Sequence, residues 1–310
     1  MSNNMKIVFL GTPDFAVPCV DILVKNGYQI VGVITAVDKY GGRGKKTLLE
    51  SPIKKYAEKQ GIPVLQPKNL KSKVFQKKLK SLNADLQIVV AFRMLPESVW
   101  NMPKHGTYNL HGSLLPAYRG AAPINWAIIN GETETGVTSF KLKHEIDTGD
   151  TLYQEKMPIY QTDTVKEVHD RMKLLAATTI LKTVQAIESG PLDLILQDVS
   201  KVTHAPKLFT ETCEINPSQT TQEIHNFIRG LNPFPTAWTT LHNKKLKVYN
   251  ISYEQVEDSI PTGVWISDDK NYLKMKCADG YIHILDLQLQ GKKRMKIKEF
   301  LNGFQFKAKE

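Results

Sequence analysis

Apolar runs of strand length alternate with helix-length amphipathic segments through most of this chain. Residues 6–10, 28–34 and 86–90 are rich in Val, Ile and Leu, which is the pattern of strands buried on both faces of a parallel sheet. Helical patterns cover residues 52–60 and 68–82 between these runs. Because strand and helix alternate, the sequence predicts an α/β fold with a Rossmann-like, mostly parallel sheet and helices on both faces.

The pattern changes in the last third of the chain. After predicted strands at 106–110, 136–142 and 152–159 and a long helix at 163–188, residues 191–208 show no clear period. A helix at 219–230 is then followed by short alternating segments at 245–251, 262–267, 271–276 and 281–289. Turn signals separate these segments, so they predict a small OB-like β-barrel.

These changes of pattern divide the chain into three parts. We expect residues 1–190 to form a catalytic domain, residues 191–208 a linker, and residues 209–310 a C-terminal OB-like domain. A chain of 310 residues is long enough to bury the cores of two domains.

Polar side chains stand where two of the predicted strands end. Asn109 and His111 close the strand at 106–110, and Asp147 follows the strand at 136–142. Ligands of open α/β sheets bind beyond the carboxyl ends of the strands. Residues two apart on a strand point the same way, so the amide can polarise a carbonyl oxygen while the imidazole handles a proton. With the carboxylate orienting the imidazole, the set predicts transfer of an activated acyl group to an amine without a covalent enzyme intermediate.

Other kinds of site fit these residues less well. His111, His144 and Asp147 could form a zinc site, but the Cys or paired-His spacing typical of zinc ligands is absent, and we predict no metal. Ser113 could suggest a hydrolase, but Gly-x-Ser-x-Gly is missing. The turn at residues 11–15 lacks Gly-x-Gly-x-x-Gly, which argues against a bound dinucleotide.

One segment supplies the whole net charge of +10. Residues 39–80 hold thirteen Lys or Arg and two acidic residues, whereas the rest of the chain holds 28 basic and 29 acidic residues. Glycines and cations at 38–46 predict a mobile basic loop that can mould itself to a phosphate backbone. The simpler interpretation, a flexible loop followed by solvated Lys-rich helices, stays open for most of these lysines.

Several observations predict a cytoplasmic protein without a membrane anchor. No apolar run reaches 18 residues, and the N-terminus leads straight into an apolar strand without the features of a signal peptide. Cys19, Cys213 and Cys277 lie far apart and form no metal-type pair, as expected for isolated thiols in a reducing compartment.

The same residues carry a resemblance to a known family. The motifs that resemble the 10-formyltetrahydrofolate-dependent formyltransferase superfamily are Asn109-Leu110-His111, Ser113-Leu114-Leu115-Pro116, Tyr118-Arg119-Gly120 and Asp147-Thr148-Gly149-Asp150. The resemblance extends from residues 11–15 to residues 231–235, and it is specific because the motifs occur in the right order and spacing.

The resemblance implies a reaction and a set of roles. It implies that 10-formyltetrahydrofolate gives its formyl group to the amine of initiator methionyl-tRNA, which yields N-formylmethionyl-tRNA for translation initiation. Asn109, His111 and Asp147 would be the catalytic residues. The reduced folate would contact Phe92, Met94, Ser113, Leu114, Leu115 and Pro116. The tRNA would contact the C-terminal domain and Arg43, Lys45 and Lys46 of the basic loop.

Two alternatives are kept beside this hypothesis. A formyltransferase for a small amine, such as glycinamide ribonucleotide or an amino sugar, would share the Asn, the His and the Asp but would need neither the basic segment nor the C-terminal barrel. A catalytically silent RNA-binding protein would need the basic surface alone. We expect the protein to act as a monomer.

Overall fold

The computed structural model describes residues 5–304 apart from residues 43 and 45. In chain order the elements up to residue 189 are β1 (Lys6–Gly11), α1 (Val17–Lys25), β2 (Gln29–Ile34), β3 (Lys39–Gly41), β4 (Thr47–Leu49), α2 (Pro52–Lys59), β5 (Val64–Leu65), α3 (Lys73–Ser81), β6 (Leu86–Val90), α4 (Glu97–Trp100), β7 (Thr107–His111), β8 (Arg119–Gly120), α5 (Pro123–Ile129), β9 (Glu134–Lys141), β10 (Thr151–Pro158) and α6 (Val165–Ser189). The later elements are β11 (His204–Ala205), α7 (Thr221–Leu231), β12 (Ala237–Leu241), β13 (Lys244–Gln255), β14 (Trp265–Ser267), β15 (Leu273–Cys277), β16 (Gly280–Leu289), β17 (Met295–Lys296) and α8 (Ile297–Leu301).

A seven-stranded sheet has the strand order β10-β9-β7-β6-β1-β2-β5. The pairs β1–β2, β1–β6, β2–β5 and β6–β7 are parallel, whereas β7 pairs with β9 antiparallel. The central strands β1 and β6 are buried nearly throughout, as their continuous apolar runs predict. The prediction of a mostly parallel sheet is therefore confirmed.

Helices cover both faces of this sheet. Val89 packs in one apolar cluster with Phe75 and Leu79 of α3, which places α3 on the face to which Val89 points. Ser139 lies on the other face, and its hydroxyl is 2.8 Å from the hydroxyl of Thr183 in α6. Because side chains alternate along a strand, these contacts place α3 and α6 on opposite faces.

The chain divides into two compact units. The first comprises residues 1–120, 135–157 and 169–204, and the second comprises residues 121–134, 158–168 and 205–310. The predicted boundaries at residues 190 and 209 stay a prediction.

The second unit is built on an antiparallel sheet with the order β12-β13-β16-β15-β14, and β17 pairs with β16. Its core includes Ile224 and Ile228 of α7. Thr220 and Glu223 form a capping box at the N-terminus of this helix. Register shifts in β13 near Asn250 bend the sheet. This curled antiparallel sheet confirms the predicted C-terminal domain, with its strands in an open order.

Some boundaries differ from the predicted ones. Helix α3 begins at Lys73 rather than near residue 68, because the side chain of Asn69 accepts a hydrogen bond from the amide of Lys71 and holds a turn there. Two short strands, β3 and β4, which were not predicted, pair with each other at residues 39–41 and 47–49.

Every helix among the described residues is too short or too polar to span a membrane.

Candidate active site

Strand β7 carries two of the predicted site residues at its carboxyl end. It pairs with β6 through Asn109 and Val89, and with β9 through His111 and Thr138. His111 is buried, whereas Asn109 is half-buried, and its side-chain amide makes no hydrogen bond to any described residue. The amide of Asn109 is therefore available to an oxygen atom of a ligand.

The ring of His111 is held by a backbone carbonyl. Its Nε2 lies 2.8 Å from the carbonyl oxygen of Tyr118, which can only accept a hydrogen bond. Nε2 therefore carries the proton, and in the neutral ring Nδ1 is the nitrogen with a free lone pair. Nδ1 faces Oδ2 of Asp147 at 3.8 Å, which is an electrostatic contact and too long for a hydrogen bond.

Asp147 sits in a constrained turn. Its backbone has φ of 55°, a left-handed conformation that Asp tolerates better than most residues. Its Oδ2 accepts a hydrogen bond of 3.0 Å from the amide of Gly120. Two residues on, a Cβ at Gly149 would lie 1.7 Å from the carbonyl oxygen of Lys141, so only glycine fits there.

Hydrogen bonds also fix the loop that runs from His111 to Gly120. Tyr118 has φ of 60°, and its amide donates to the hydroxyl of Thr203 at 2.8 Å. The Arg119 amide donates to the Thr203 carbonyl at 2.9 Å. Thr203 therefore supports the segment whose carbonyl holds His111.

The predicted folate residues fall into two groups. Ser113 and Leu115 are buried, and the Ser113 hydroxyl donates to the carbonyl of Ala117 at 2.6 Å, so their side chains support the loop. Met94 is 73% exposed, and Leu114, Pro116 and Phe92 are half-buried. The second group can offer side chains to a ligand. In the buried pair, the carbonyl of Ser113 and the amide and carbonyl of Leu115 already bond to Thr138 or Gln154.

Arg93 is bonded to the segment that follows β5. Its guanidinium donates to the carbonyl oxygens of Pro67 and Lys68 and lies 5.7 Å from the centre of the Phe92 ring. It therefore ties the loop after β6 to the segment before α3.

The basic loop at 38–46 contains strand β3, which pairs with β4. Arg43 and Lys45 lie outside the described residues, and Lys46 is exposed. At its base, Lys54 bonds to Asp38 and Glu50, and the Lys54 ammonium holds the pKa of Asp38 below its ordinary value. Tyr40 pairs with Leu48, so residues 39–41 of the predicted loop form a strand, while the mobility of the loop stays a prediction.

The three residues considered for a zinc site, His111, His144 and Asp147, do not come together as metal ligands. His144 is exposed, and in the part of the chain that the structure describes it forms no ligand cluster with His111 and Asp147. Gln197 is not among the residues predicted from the sequence, although it is only 9% exposed and bonds to the turn of Asp147. Its segment shows no helical or strand period, so no sequence signal marks it.

Comparisons with known proteins give a consistent result. The family model described as Formyl transferase matches residues 5–184, and the model described as Formyl transferase, C-terminal domain, matches residues 207–305. The methionyl-tRNA formyltransferase of Parabacteroides distasonis is 50% identical to this chain in an alignment of 311 positions. The alignment covers 97% of this chain and 96% of that protein.

Solved structures share the fold at lower identity. The N-formyltransferase from Helicobacter canadensis, in complex with folinic acid and dTDP-3-aminofucose, matches with a TM-score of 0.68 and 21% identity over 94% of this chain and 100% of that chain. The methionyl-tRNA formyltransferase from Clostridium thermocellum matches with a TM-score of 0.56 and 17% identity over 81% of this chain and 94% of that chain. Likenesses at these identities show the fold alone.

The fold and the matches together define the class of the protein, which is an enzyme that transfers a formyl group. The chain belongs to the formyl transferase family.

Proposed function

We propose that this chain transfers the formyl group of 10-formyltetrahydrofolate to the amino group of initiator methionyl-tRNA, giving the N-formylmethionyl-tRNA used in translation initiation. The observation that carries the proposal is the 50% identity over 97% of the chain with a protein named methionyl-tRNA formyltransferase. The small-amine alternative has weaker support, because the amino-sugar enzyme shares only the fold at 21% identity.

The proposed reaction joins the amine nitrogen to the formyl carbon and breaks the bond between that carbon and N10 of the folate. The amine gives up one proton, and N10 gains one. Negative charge develops on the formyl oxygen, and the free amide of Asn109 would donate to it. Loss of such a donor typically lowers the rate roughly a hundred- to thousandfold.

His111 would take the proton from the amine at Nδ1, because Nε2 already donates to the carbonyl of Tyr118. This role typically contributes a factor of roughly a hundred to ten thousand in rate. The imidazolium that forms would lie 3.8 Å from the carboxylate of Asp147, which attracts it.

The two substrates would meet at this strand end. Exposed Met94 and half-buried Phe92, Leu114 and Pro116 support a folate site formed by their side chains. Ser113 and Leu115 would hold this loop in place from behind, through their backbone bonds to Thr138 and Gln154. Lys46, with Arg43 and Lys45, would bind tRNA phosphates. Residues 1–190 would act as the catalytic domain, with 191–208 as the linker and 209–310 as the tRNA-binding domain of a cytoplasmic monomer.

An acceptor assay tests the proposal. Formyl transfer from labelled 10-formyltetrahydrofolate is measured with methionyl-tRNA, glycinamide ribonucleotide and a dTDP-linked amino sugar. We expect the highest kcat/KM with methionyl-tRNA. A higher value with either small amine would overturn the proposed acceptor, and unchanged turnover in Asn109→Ala and His111→Ala would show the site to be misplaced.

A further inference from the structure

The side chain of Gln197 connects two loops of the candidate site. Its Nε2 donates to the carbonyl oxygen of Asp147 at 2.9 Å and to that of Gly149 at 2.8 Å. Its Oε1 accepts from Arg119, at 3.1 Å from Nε and 2.6 Å from Nη2. Both amide hydrogens and the amide oxygen are therefore used, and the residue is only 9% exposed.

The chain around Gln197 is itself anchored. Ile195 exchanges two backbone hydrogen bonds of 2.8 Å with Thr151, the first residue of β10. On the other side, Thr203 accepts from the amide of Tyr118 at 2.8 Å. The segment that carries Gln197 is thus held by hydrogen bonds on both sides of that residue.

The two loops that Gln197 joins hold the two ends of the His111 ring. One loop carries Asp147, whose carboxylate faces Nδ1 at 3.8 Å. The other carries Tyr118, whose carbonyl binds Nε2, followed directly by Arg119. The buried amide of Gln197 therefore ties together the two loops on either side of the imidazole, beside the hydrogen bond of 3.0 Å from the Gly120 amide to the Asp147 carboxylate.

We propose that Gln197 is a positioning residue, which holds the Asp147 carboxylate against Nδ1 of His111 by fastening the 147–149 turn to Arg119. The inference rests on the proposed function, since it assumes that His111 and Asp147 take part in formyl transfer. Asp147 has φ of 55°, and a turn in that conformation needs external contacts to persist. The two carbonyl contacts from Gln197 provide them.

The test combines Gln197→Ala with Asp147→Asn in the full-length protein. A displacement of about 1 Å at a reacting group can cost roughly a hundredfold in rate. We expect Gln197→Ala to lower kcat about ten- to a hundredfold with both KM values nearly unchanged. In the Asp147→Asn background the same substitution should cost much less, because both changes remove one interaction.

Two further variants separate positioning from folding. Gln197→Glu keeps the contact with Arg119 but cannot donate to the two carbonyls, so a folded Gln197→Glu protein should lose kcat as Gln197→Ala does. Gln76 is the matched control, because its amide donates to the carbonyl of Leu70 and the hydroxyl of Ser98, away from the site. The kcat of Gln76→Ala should stay within about twofold of the wild-type value. Its midpoint of urea unfolding shows how much stability is lost when a comparable glutamine is removed elsewhere.

Three results would be decisive. Non-additive losses of kcat for Gln197→Ala and Asp147→Asn support the inference. Additive losses, or an unchanged kcat in folded Gln197→Glu while Asp147→Asn is slow, overturn the inference and leave the proposed function standing. An unchanged kcat in Asp147→Asn would remove Asp147 from the proposed site. That result would also overturn the inference about Gln197.

Discussion

Replacing Asp147 by Asn tests whether its carboxylate stabilises a charge on His111. Asn has the same shape, and its carbonyl oxygen can keep the hydrogen bond of 3.0 Å from the Gly120 amide. The substitution therefore removes the negative charge with little change of geometry. If His111 takes a proton at Nδ1 during the reaction, only the charged ring loses an attraction.

The distance sets the size of the effect. Two unit charges near 4 Å apart attract by about 1 kcal/mol in water and by about 4 kcal/mol at an effective dielectric constant near 20. Nδ1 and Oδ2 are 3.8 Å apart, and both residues are less than one-tenth exposed, which favours the upper part of this range. Since about 1.4 kcal/mol is a factor of ten in rate, we expect kcat to fall about a hundredfold.

The assay is single-turnover formyl transfer to methionyl-tRNA with saturating enzyme, together with KM values from steady-state rates. Both KM values should stay within about twofold, because the charge on the ring exists only during the proton transfer. Asp150→Asn is the matched control, since that carboxylate pairs with Lys143 at 2.7 Å and not with His111. A rate within about twofold of wild type in folded Asp147→Asn would refute the electrostatic role.

Three further predictions concern other parts of the molecule. Gly149→Ala should lower the free energy of unfolding by about 3 kcal/mol or more, measured by urea titration, because its Cβ would meet a backbone oxygen that cannot rotate away. Cys19 and Cys277 should react with a thiol reagent only after unfolding, since burial raises the pKa of both thiols, that of Cys277 to about 11. Burial and the nearby Arg229 charge lower the pKa of His225, so the unfolded chain binds more protons below about pH 6.5 and stability should fall as the pH drops. His225→Gln should flatten that dependence in urea midpoints measured from pH 7.5 to 5.5.

Local pattern was enough to predict the sheet and the residues at its strand ends. The shared direction of Asn109 and His111 follows from the two-residue period of a strand. The buried runs of β1 and β6 identify the parallel core. These features depend on residues that are neighbours in the sequence.

Features that depend on distant residues could not be predicted in this way. The tautomer of His111 is set by the carbonyl of Tyr118, whose orientation depends on a φ of 60°. Gln197 reaches Asp147 across fifty residues, from a segment that has no period of its own. Ser113 and Leu115 were predicted as folate contacts from their motif, but the motif does not show that their side chains are buried.

The two ring nitrogens of His111 have different oxygen neighbours. Each ring nitrogen faces an oxygen atom that can accept a hydrogen bond but cannot donate one: the carbonyl oxygen of Tyr118 at 2.8 Å and a carboxylate oxygen of Asp147 at 3.8 Å. A neutral ring satisfies the carbonyl and leaves a lone pair towards the carboxylate, whereas the protonated ring is attracted by both. In the proposed reaction, Nδ1 would be the atom that takes the proton from the attacking amine, with the carboxylate of Asp147 nearby. In the proposed reaction, the half-buried amide of Asn109, which no described residue occupies, would then bind the formyl oxygen.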